Sequence, residues 1–217
     1  MLKRTRDWLI GALFGGLLAA CPGGAIAADS SLKLDLGERV FLDLVLVSHG
    51  SFQMGSSTSE TKRNNDETQH LVTITKDYYI GKFPVTLAQF DRFIIETRYR
   101  TEAEGGRSGG IGWDGSKLKQ DAQFNWRNTG FDQNGDQPVT TVSFTDALEF
   151  CDWLSRKTGR KISLPTEAQW EYACRAGTTT AWHNGGDPTT VSEIAWFKPR
   201  AQNTTGQPCR AAWLTTR

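Results

Sequence analysis

Branched and aromatic residues are concentrated in three short segments of the N-terminal half, and this pattern predicts three strands. The segments are Val40–Val47, Leu71–Thr75 and Tyr78–Phe83. Each has the length of an ordinary strand and is bounded by polar or glycine-containing stretches.

The pattern after Pro84 predicts a first helix over about residues 87–97. Thr86 and Gln89 have the spacing of a capping box, in which each side chain bonds a backbone N–H at the start of the helix. One face of this helix is apolar and consists of Leu87, Phe90, Phe93 and Ile94.

Two more helices are predicted further along the chain, and the apolar face of each contains a cysteine. Ser143 and Asp146 have cap spacing at the start of the second helix, and Gly159 follows its end. The third helix starts after Thr166 and stops at Gly177. The apolar faces are Ala147, Phe150, Cys151 and Leu154 in the second helix, and Trp170, Ala173 and Cys174 in the third.

Residues 98–141 have no sustained periodicity and are rich in Gly, Asn, Asp and Trp, which predicts a long loop. Loops of this length in a compact domain are usually functional or irregularly packed. We expect four aromatic residues to anchor it: Trp113, Phe124, Trp126 and Phe131.

The composition predicts a folded domain without electrostatic bias. The 217 residues include 25 Lys and Arg against 24 Asp and Glu, so the formal net charge is +1. This balance gives no attraction toward nucleic acid, and we expect no nucleic-acid partner. The hydrophobic content of 38% excludes the disordered class.

Residues 1–27 have the features of a signal peptide. An apolar run over 8–20 follows a basic start, and Pro22 interrupts the chain before a small-residue site that ends at Ala27. The run is shorter than the roughly 20 residues that a membrane-spanning helix needs, so we expect no transmembrane span. The chain is therefore expected to be exported to the periplasm or secreted, with cleavage after Ala27.

A second interpretation of the same segment stays open. Leu18–Cys21 resembles a bacterial lipobox, in which Cys21 would carry an acyl anchor. Both interpretations place the protein outside the cytoplasm. Cleavage after Ala27 leaves three cysteines, Cys151, Cys174 and Cys209, and an odd number in an oxidising compartment indicates a free thiol, an intermolecular bond or a missing partner.

Gly110–Gly115 has the G-x-G-x-x-G pattern of dinucleotide-binding loops. No predicted strand precedes it, no predicted helix follows it, and Trp113 would crowd a pyrophosphate. We interpret the match as a coincidence within the loop.

Two segments carry oxygen and nitrogen side chains at close spacing. Asp132–Asp136 resembles a calcium loop, but its glycine stands at the fourth position and Ser143 at the twelfth, so a polar turn is the better interpretation. Asp66, Glu67 and His70 could gather around a metal ion or could form a solvated loop, because no fourth ligand accompanies them.

The two other histidines, His49 and His183, stand in no motif that pairs a nucleophile with a base. The local sequence motifs therefore indicate no particular reaction. We assign no catalytic, cofactor-binding or metal-binding residue from the sequence.

Several segments, taken in order, resemble the blocks of the formylglycine-generating enzyme family, also called sulfatase-modifying factors. The resemblance covers about residues 40–198, and its most diagnostic block is Leu164–Gly177. The other blocks are Phe52–Gly55, Asp66–Glu67, Leu71–Ile74, Tyr79–Thr86, Trp126–Phe131, Gln137–Ser143, Asp146–Ala147 and Phe150–Leu154.

This resemblance implies an α+β domain with an irregular, loop-rich fold of the C-type-lectin-like kind. It implies a sulfatase-modifying-factor-like domain over 40–205, which covers the N-terminal portion of the family fold, after an N-terminal extension over 28–39. The tail over 206–217 matches no block. The resemblance further implies that the cap at Thr166 and a buried Trp170 brace the core.

The resemblance also implies a chemistry, in which a cysteine pair near the C-terminal end binds copper and molecular oxygen converts a sulfatase cysteine to formylglycine. Complete members also hold calcium. The blocks that carry the catalytic pair have no counterpart after Thr205, and the context of Cys209 does not match. We therefore expect a truncated or inactive chain without copper or calcium, and a sulfatase-like protein as its partner if the family role is kept. Cys151 and Cys174 match positions that are sometimes bridged to the C-terminal part of the family fold.

A hypothesis of another class is a non-catalytic module that holds a peptide or a glycan with its aromatic-rich loop. Trp113 and Trp126 would then be exposed. Burial of both rings would count against this hypothesis.

Overall fold

The computed structural model describes residues 29–60, 63–180, 183–185 and 215–216. The predicted signal peptide, Cys209 and most of the predicted tail lie outside these residues. The strands are β1 (Ser31–Asp35), β2 (Phe41–Val47), β3 (Gly50–Met54), β4 (His70–Ile74), β5 (Tyr78–Gly81), β6 (Gly110–Trp113), β7 (Leu118–Asp121), β8 (Ile162–Ser163) and β9 (Thr215–Thr216). The helices are α1 (Leu87–Thr97), α2 (Glu102–Gly105), α3 (Phe144–Thr158) and α4 (Glu167–Arg175).

The strands form one larger sheet and two hairpins. The larger sheet has the order β1-β2-β5-β9-β8, and all its neighbours are antiparallel. The hairpins are β3–β4 and β6–β7. Short strands, four helices and long connections confirm the predicted irregular α+β fold. None of the helices in the described part is long and apolar enough to cross a membrane.

The larger sheet separates two hydrophobic layers. Val45 pairs with Ile80 and Val47 with Tyr78, and these four side chains point to the same face because side chains alternate along a strand. The second layer lies on that face and contains Ile74, Tyr78 and Ile80, with Val45, Val47, Val72, Ala168, Tyr172 and Ala173 packed against them.

The first layer joins β1 and β2 to α1 and α3. Its buried residues are Leu34, Leu36, Leu42, Leu44, Phe90, Phe93, Ile94, Trp126, Phe150, Cys151, Trp153, Leu154 and Ile162. Aromatic rings dominate its centre. The Phe93 ring contacts the rings of Phe150 and Trp153 with centroid separations of 5.8 and 5.7 Å, in the edge-on or tilted geometries that such rings prefer.

The three predicted longer helices are confirmed, together with their caps. Thr86, Ser143 and Thr166 each form a complete capping box at the start of α1, α3 and α4. Gly159 ends α3 in the left-handed conformation, as predicted. In α4 the left-handed cap is Ala176, one residue before the predicted glycine.

The prediction that Trp170 is buried in the core is wrong. Its side chain is 39% exposed, and α4 contains no fully buried residue. Helical geometry explains this, because Ala168 and Tyr172 face the sheet and a residue midway between them lies on the opposite side of the helix.

The predicted long loop contains more regular structure than expected. It holds α2 and the hairpin β6–β7. Phe124 and Trp126 are buried and anchor it as predicted, whereas Phe131 is exposed. Strand β1 and the buried Leu36 lie in the segment predicted to be an N-terminal extension.

Candidate functional site

A cavity of about 540 Å³ lies in the second layer, between the end of β2, strand β3 and the C-terminal end of α4. Its apolar wall includes Val47, Phe52 and Tyr172. Neutral polar side chains, including Gln53 and Gln69, also line it. The volume is in the range of ordinary small-ligand pockets.

Three residues fasten α4 to the end of β3 beside this cavity, and we call Gly55, Glu171 and Arg175 the clamp. The Gly55 N–H donates to Glu171 Oε1 at 2.9 Å, and Arg175 Nη2 donates to the Gly55 carbonyl at 2.9 Å. Arg175 Nε also donates to Glu171 Oε1 at 2.8 Å. The Arg175 guanidinium in the cavity wall is therefore neutralised by the carboxylate one helical turn earlier.

Two aromatic side chains in the cavity wall, Phe52 and Tyr172, contact each other. The rings of Phe52 and Tyr172 are 5.2 Å apart between centroids. Gly50 has no side chain, and a Cβ there would lie 2.5 Å from the Tyr172 hydroxyl, so glycine permits this approach. Below them, the Tyr78 hydroxyl donates to the Gln169 carbonyl at 2.6 Å, and burial raises the pKa of Tyr78 to about 12.

A second cavity of about 370 Å³ lies between α1 and the aromatic loop. The Arg127 guanidinium stacks on the Trp126 ring, 3.9 Å from its centroid, and pairs with Glu104 at 3.1 Å and Asp91 at 3.7 Å. Burial acts to raise the pKa of Glu104, but hydrogen bonds from Thr101 and the charge of Arg127 outweigh it and lower this pKa. The Arg127 guanidinium is thus already paired with side chains of this protein.

The two described cysteines lie on different helices, Cys151 on α3 and Cys174 on α4. Cys151 is buried in the first layer, and burial, with a smaller effect of the Asp152 charge, raises the pKa of its thiol to about 12. Cys174 is half-buried on α4. These two thiols do not fit a copper-binding pair, because such a pair needs two thiolates at one accessible point. Cys209 lies outside the described residues.

Asp66 and Glu67 lie in the loop before β4, and His70 is the first residue of that strand. The Ser56 hydroxyl donates to Glu67 Oε2 at 2.6 Å and lowers the pKa of Glu67. His70 Nδ1 lies 2.9 Å from the Thr68 carbonyl oxygen. Across the described ranges, no group of three or more His, Cys, Asp or Glu side chains is placed to hold a metal ion.

His49 pairs with Asp77, a contact that was not predicted from the sequence. Its Nδ1 lies 2.6 Å from Asp77 Oδ1, and its backbone N–H donates to the same oxygen at 2.7 Å. These bonds lower the pKa of Asp77 and join the β2–β3 and β4–β5 connections. His183 is described but lies in no helix or strand.

The two motif-like loops have structural roles. Gly110–Trp113 is strand β6, and a Cβ on Gly112 would strike the Phe124 ring, so the glycines admit close packing. In the second loop, Asn134 Oδ1 accepts the Asp136 N–H at 3.0 Å and the Asn134 carbonyl accepts the Gln137 N–H at 3.2 Å. This geometry confirms the predicted polar turn.

The clamp was not predicted from the sequence. Glu171 and Arg175 have the i, i+4 spacing of a helical ion pair, which was a visible signal. Their contact with Gly55 bridges more than a hundred residues of chain, and no local pattern shows such a contact.

The sequence is similar to a known protein family and to characterised members of it. Residues 37–210 match the family model described as sulfatase-modifying factor enzyme 1-like domain. The chain is 31% identical to a Bos taurus formylglycine-generating enzyme over 155 residues, which cover 62% of this chain and 40% of that protein. It is 30% identical over 170 residues to the Bos taurus inactive C-alpha-formylglycine-generating enzyme 2, over 66% of this chain and 52% of the relative.

Among solved structures, the fold is similar to that of PvdO from Pseudomonas aeruginosa. The TM-score is 0.64 at 22% identity, over 84% of this chain and 69% of the other. At this identity the likeness concerns the fold alone. The chain spans about half the length of the two curated relatives.

Proposed function

The chain belongs to the sulfatase-modifying factor family, and on this premise we propose that it is an exported member that does not oxidise sulfatase cysteines on its own. The observation that carries the proposal is the placement of the two described thiols. Cys151 is enclosed by the first layer and Cys174 lies on α4 beside the second. Cys151 is thus closed off within the first layer, and Cys174 belongs to a different helix.

The raised pKa of Cys151 supports the same conclusion. A thiolate is the form that binds copper or attacks a substrate, and a thiol with a pKa of about 12 is protonated at neutral pH. The first layer also excludes a substrate peptide from Cys151. We derive no copper-dependent step for these residues.

Mass spectrometry of a sulfatase-motif peptide tests the proposal. The peptide is incubated with a polypeptide of these 217 residues, Cu(I) and oxygen, and a family enzyme serves as the positive control. We expect the peptide cysteine to keep its mass with this chain and to be converted by the control enzyme. Copper-dependent conversion that is lost in Cys151→Ser or Cys174→Ser would overturn the proposal.

A sulfatase-like protein is the proposed partner, because family members act on sulfatases. Binding without turnover is measurable with the same peptide as a fluorescent probe. A peptide with Ser in place of the target Cys separates recognition of the motif from reaction with its thiol.

Export is the second part of the proposal. Strand β1 begins at Ser31, so cleavage after Ala27 leaves the sheet intact. N-terminal sequencing of the protein from the periplasm or medium is expected to begin at Ala28. A lipid-modified Cys21 would instead support the lipobox, and an unprocessed chain in the cytoplasm would contradict export.

A second candidate function is a non-catalytic binding module, and the cavity of about 540 Å³ favours it. The sequence predicts exposed Trp113 and Trp126 for such a module. This prediction is wrong for Trp126, which is 2% exposed and lies in the first layer. The cavity between β3 and α4 is therefore the place to test, by ligand-detected NMR with peptide and glycan panels.

A further inference from the structure

We propose that hairpin β3–β4 and helix α4 form one lid that opens from the larger sheet as a unit, while the first layer stays folded. The lid consists of Gly50–Met54, His70–Ile74 and Glu167–Arg175. This inference concerns the conformational behaviour of the fold and is independent of any catalytic activity.

The two layers differ strongly in how much they bury. Among the described residues, the first layer contains thirteen buried side chains and the second contains three. Of those three, Tyr78 and Ile80 belong to the sheet, so the lid itself contributes only Ile74. Regions with few buried apolar side chains open at lower free energy than the core.

Helix α4 fits this description best. It has no fully buried residue, and Trp170 is turned away from the sheet. Its apolar contribution to the second layer is limited to Ala168, Tyr172 and Ala173. Two of these three side chains are single methyl groups, which gain little free energy by leaving water.

Polar contacts within the lid couple the helix to the hairpin. The clamp joins Gly55, directly after β3, to Glu171 and Arg175 on α4. The Phe52 and Tyr172 rings make a second connection between the same elements. The helix and the hairpin therefore support each other, which favours opening as one unit over independent fraying.

Polar contacts also connect the lid to the rest of the fold. Tyr78 donates to the Gln169 carbonyl, and His49 pairs with Asp77 at the connections that join the hairpin to the sheet. The His49–Asp77 pair is exposed, and exposed pairs contribute little. The cavity of about 540 Å³ lies between the lid and the end of β2, so opening removes two of its walls.

The chain has one natural thiol reporter on the lid and another in the first layer. Cys174 lies on the lid and is half-buried, whereas Cys151 is 2% exposed in the first layer. Iodoacetamide alkylates a thiol when opening exposes it. Peptide mass spectrometry distinguishes these two sites from Cys21 and Cys209.

The experiment measures alkylation rates of the full chain in increasing but non-denaturing urea. We expect Cys174 to react much faster than Cys151, at a rate that rises with urea because opening exposes surface. Glu171→Ala removes a charged hydrogen-bond acceptor from the clamp and is expected to raise the Cys174 rate about tenfold. It is expected to leave the Cys151 rate unchanged.

Glu96→Ala is the matched control. Glu96 also accepts from an arginine one helical turn away, Arg92, but through Lys157 and the indole N–H of Trp153 it joins α1 to α3 in the first layer. We expect it to leave the Cys174 rate unchanged. If Glu171→Ala accelerates both thiols equally, or if the Cys174 rate does not respond to urea, the lid does not open separately and the proposal is wrong.

Hydrogen exchange of the unmodified protein gives an independent answer. Amides of β3, β4 and α4 are expected to share one opening free energy that is lower than that of α1 and α3. Equal protection of α4 and α3 would overturn the proposal without the need for any variant.

Discussion

The hydroxyl of Tyr99 donates a hydrogen bond of 2.9 Å to Oδ1 of Asp146, a carboxylate with no exposed surface. The same oxygen accepts the Glu102 N–H at 3.1 Å, and Oδ2 accepts the Ser143 N–H at 2.8 Å. One side chain thus joins the start of α3, the start of α2 and the segment after α1. A buried carboxylate is tolerated here because its oxygens have these three donors.

Removal of this carboxylate is expected to destabilise the protein strongly. Asp146→Ala removes the carboxylate half of the capping box of α3, although Ser143 Oγ still accepts the backbone N–H of residue 146. It also leaves the partly buried Tyr99 O–H and Glu102 N–H without this acceptor, and the total cost is expected to be about 3 kcal/mol of unfolding free energy. Urea unfolding followed by circular dichroism measures this. Tyr99→Phe removes one donor only and is expected to cost about 1 kcal/mol. Equal losses in the two variants would contradict the role of Asp146 as the common acceptor.

Alkaline pH is expected to destabilise the fold. The pKa values are raised to about 12 for Cys151, from 9.0, and for Tyr78 and Tyr99, from 10.0, in each case mainly by burial. Each folded group therefore keeps its proton at a pH where the unfolded chain releases it. The unfolding free energy then falls as the pH rises from about 9 toward 12.

Urea midpoints at pH 8, 10 and 11, measured with a reductant present, test this dependence. Cys151→Ala and Tyr78→Phe are each expected to flatten the decline, because they remove one of the titrating groups. A midpoint that stays constant between pH 8 and 11 would show that these side chains are not buried as described.

The helices were predictable because their signals are local. Thr86 and Gln89 are three residues apart, and so are Ser143 and Asp146, so a capping box is visible in the sequence itself. Their apolar faces follow from the helical period. The same locality explains why β2, β4 and β5 were found nearly to the residue.

Contacts between distant segments were not predictable in the same way. Strand β1 is short, and its pairing with β2 gives it its place in the sheet. The exposure of Trp170 depends on which side of α4 meets the sheet, and the helical period does not decide this. The clamp requires Gly55 and Glu171 to meet, which is a property of the folded chain.

The ends of α3 and α4 provide a reciprocal pair of substitutions. Gly159 and Ala176 both adopt the left-handed conformation, with φ of 66° and 47°. A Cβ at Gly159 meets nothing within 4 Å, so Gly159→Ala tests backbone conformation alone and is expected to cost about 1 kcal/mol. Ala176→Gly is expected to raise the unfolding free energy by about 0.5 kcal/mol, because glycine adopts this conformation without strain. Thermal or urea unfolding measures the change in unfolding free energy of both variants. A loss of stability in Ala176→Gly would mean that the alanine side chain makes a contact whose stabilisation exceeds the backbone strain at this position.

The glycines of the G-x-G-x-x-G segment are expected to differ sharply in their sensitivity to substitution. A Cβ on Gly112 would strike the buried Phe124 ring and lie 2.8 Å from the Thr129 carbonyl oxygen, whereas a Cβ on Gly115 meets nothing within 4 Å. Gly112→Ala must displace a core aromatic ring and is expected to cost about 3 kcal/mol. Gly115→Ala adds only the strain of a φ of 97°, which is expected to cost about 1 kcal/mol. Urea unfolding of the two variants separates these effects, and equal costs would show that the packing of β6 against Phe124 does not decide the requirement for glycine.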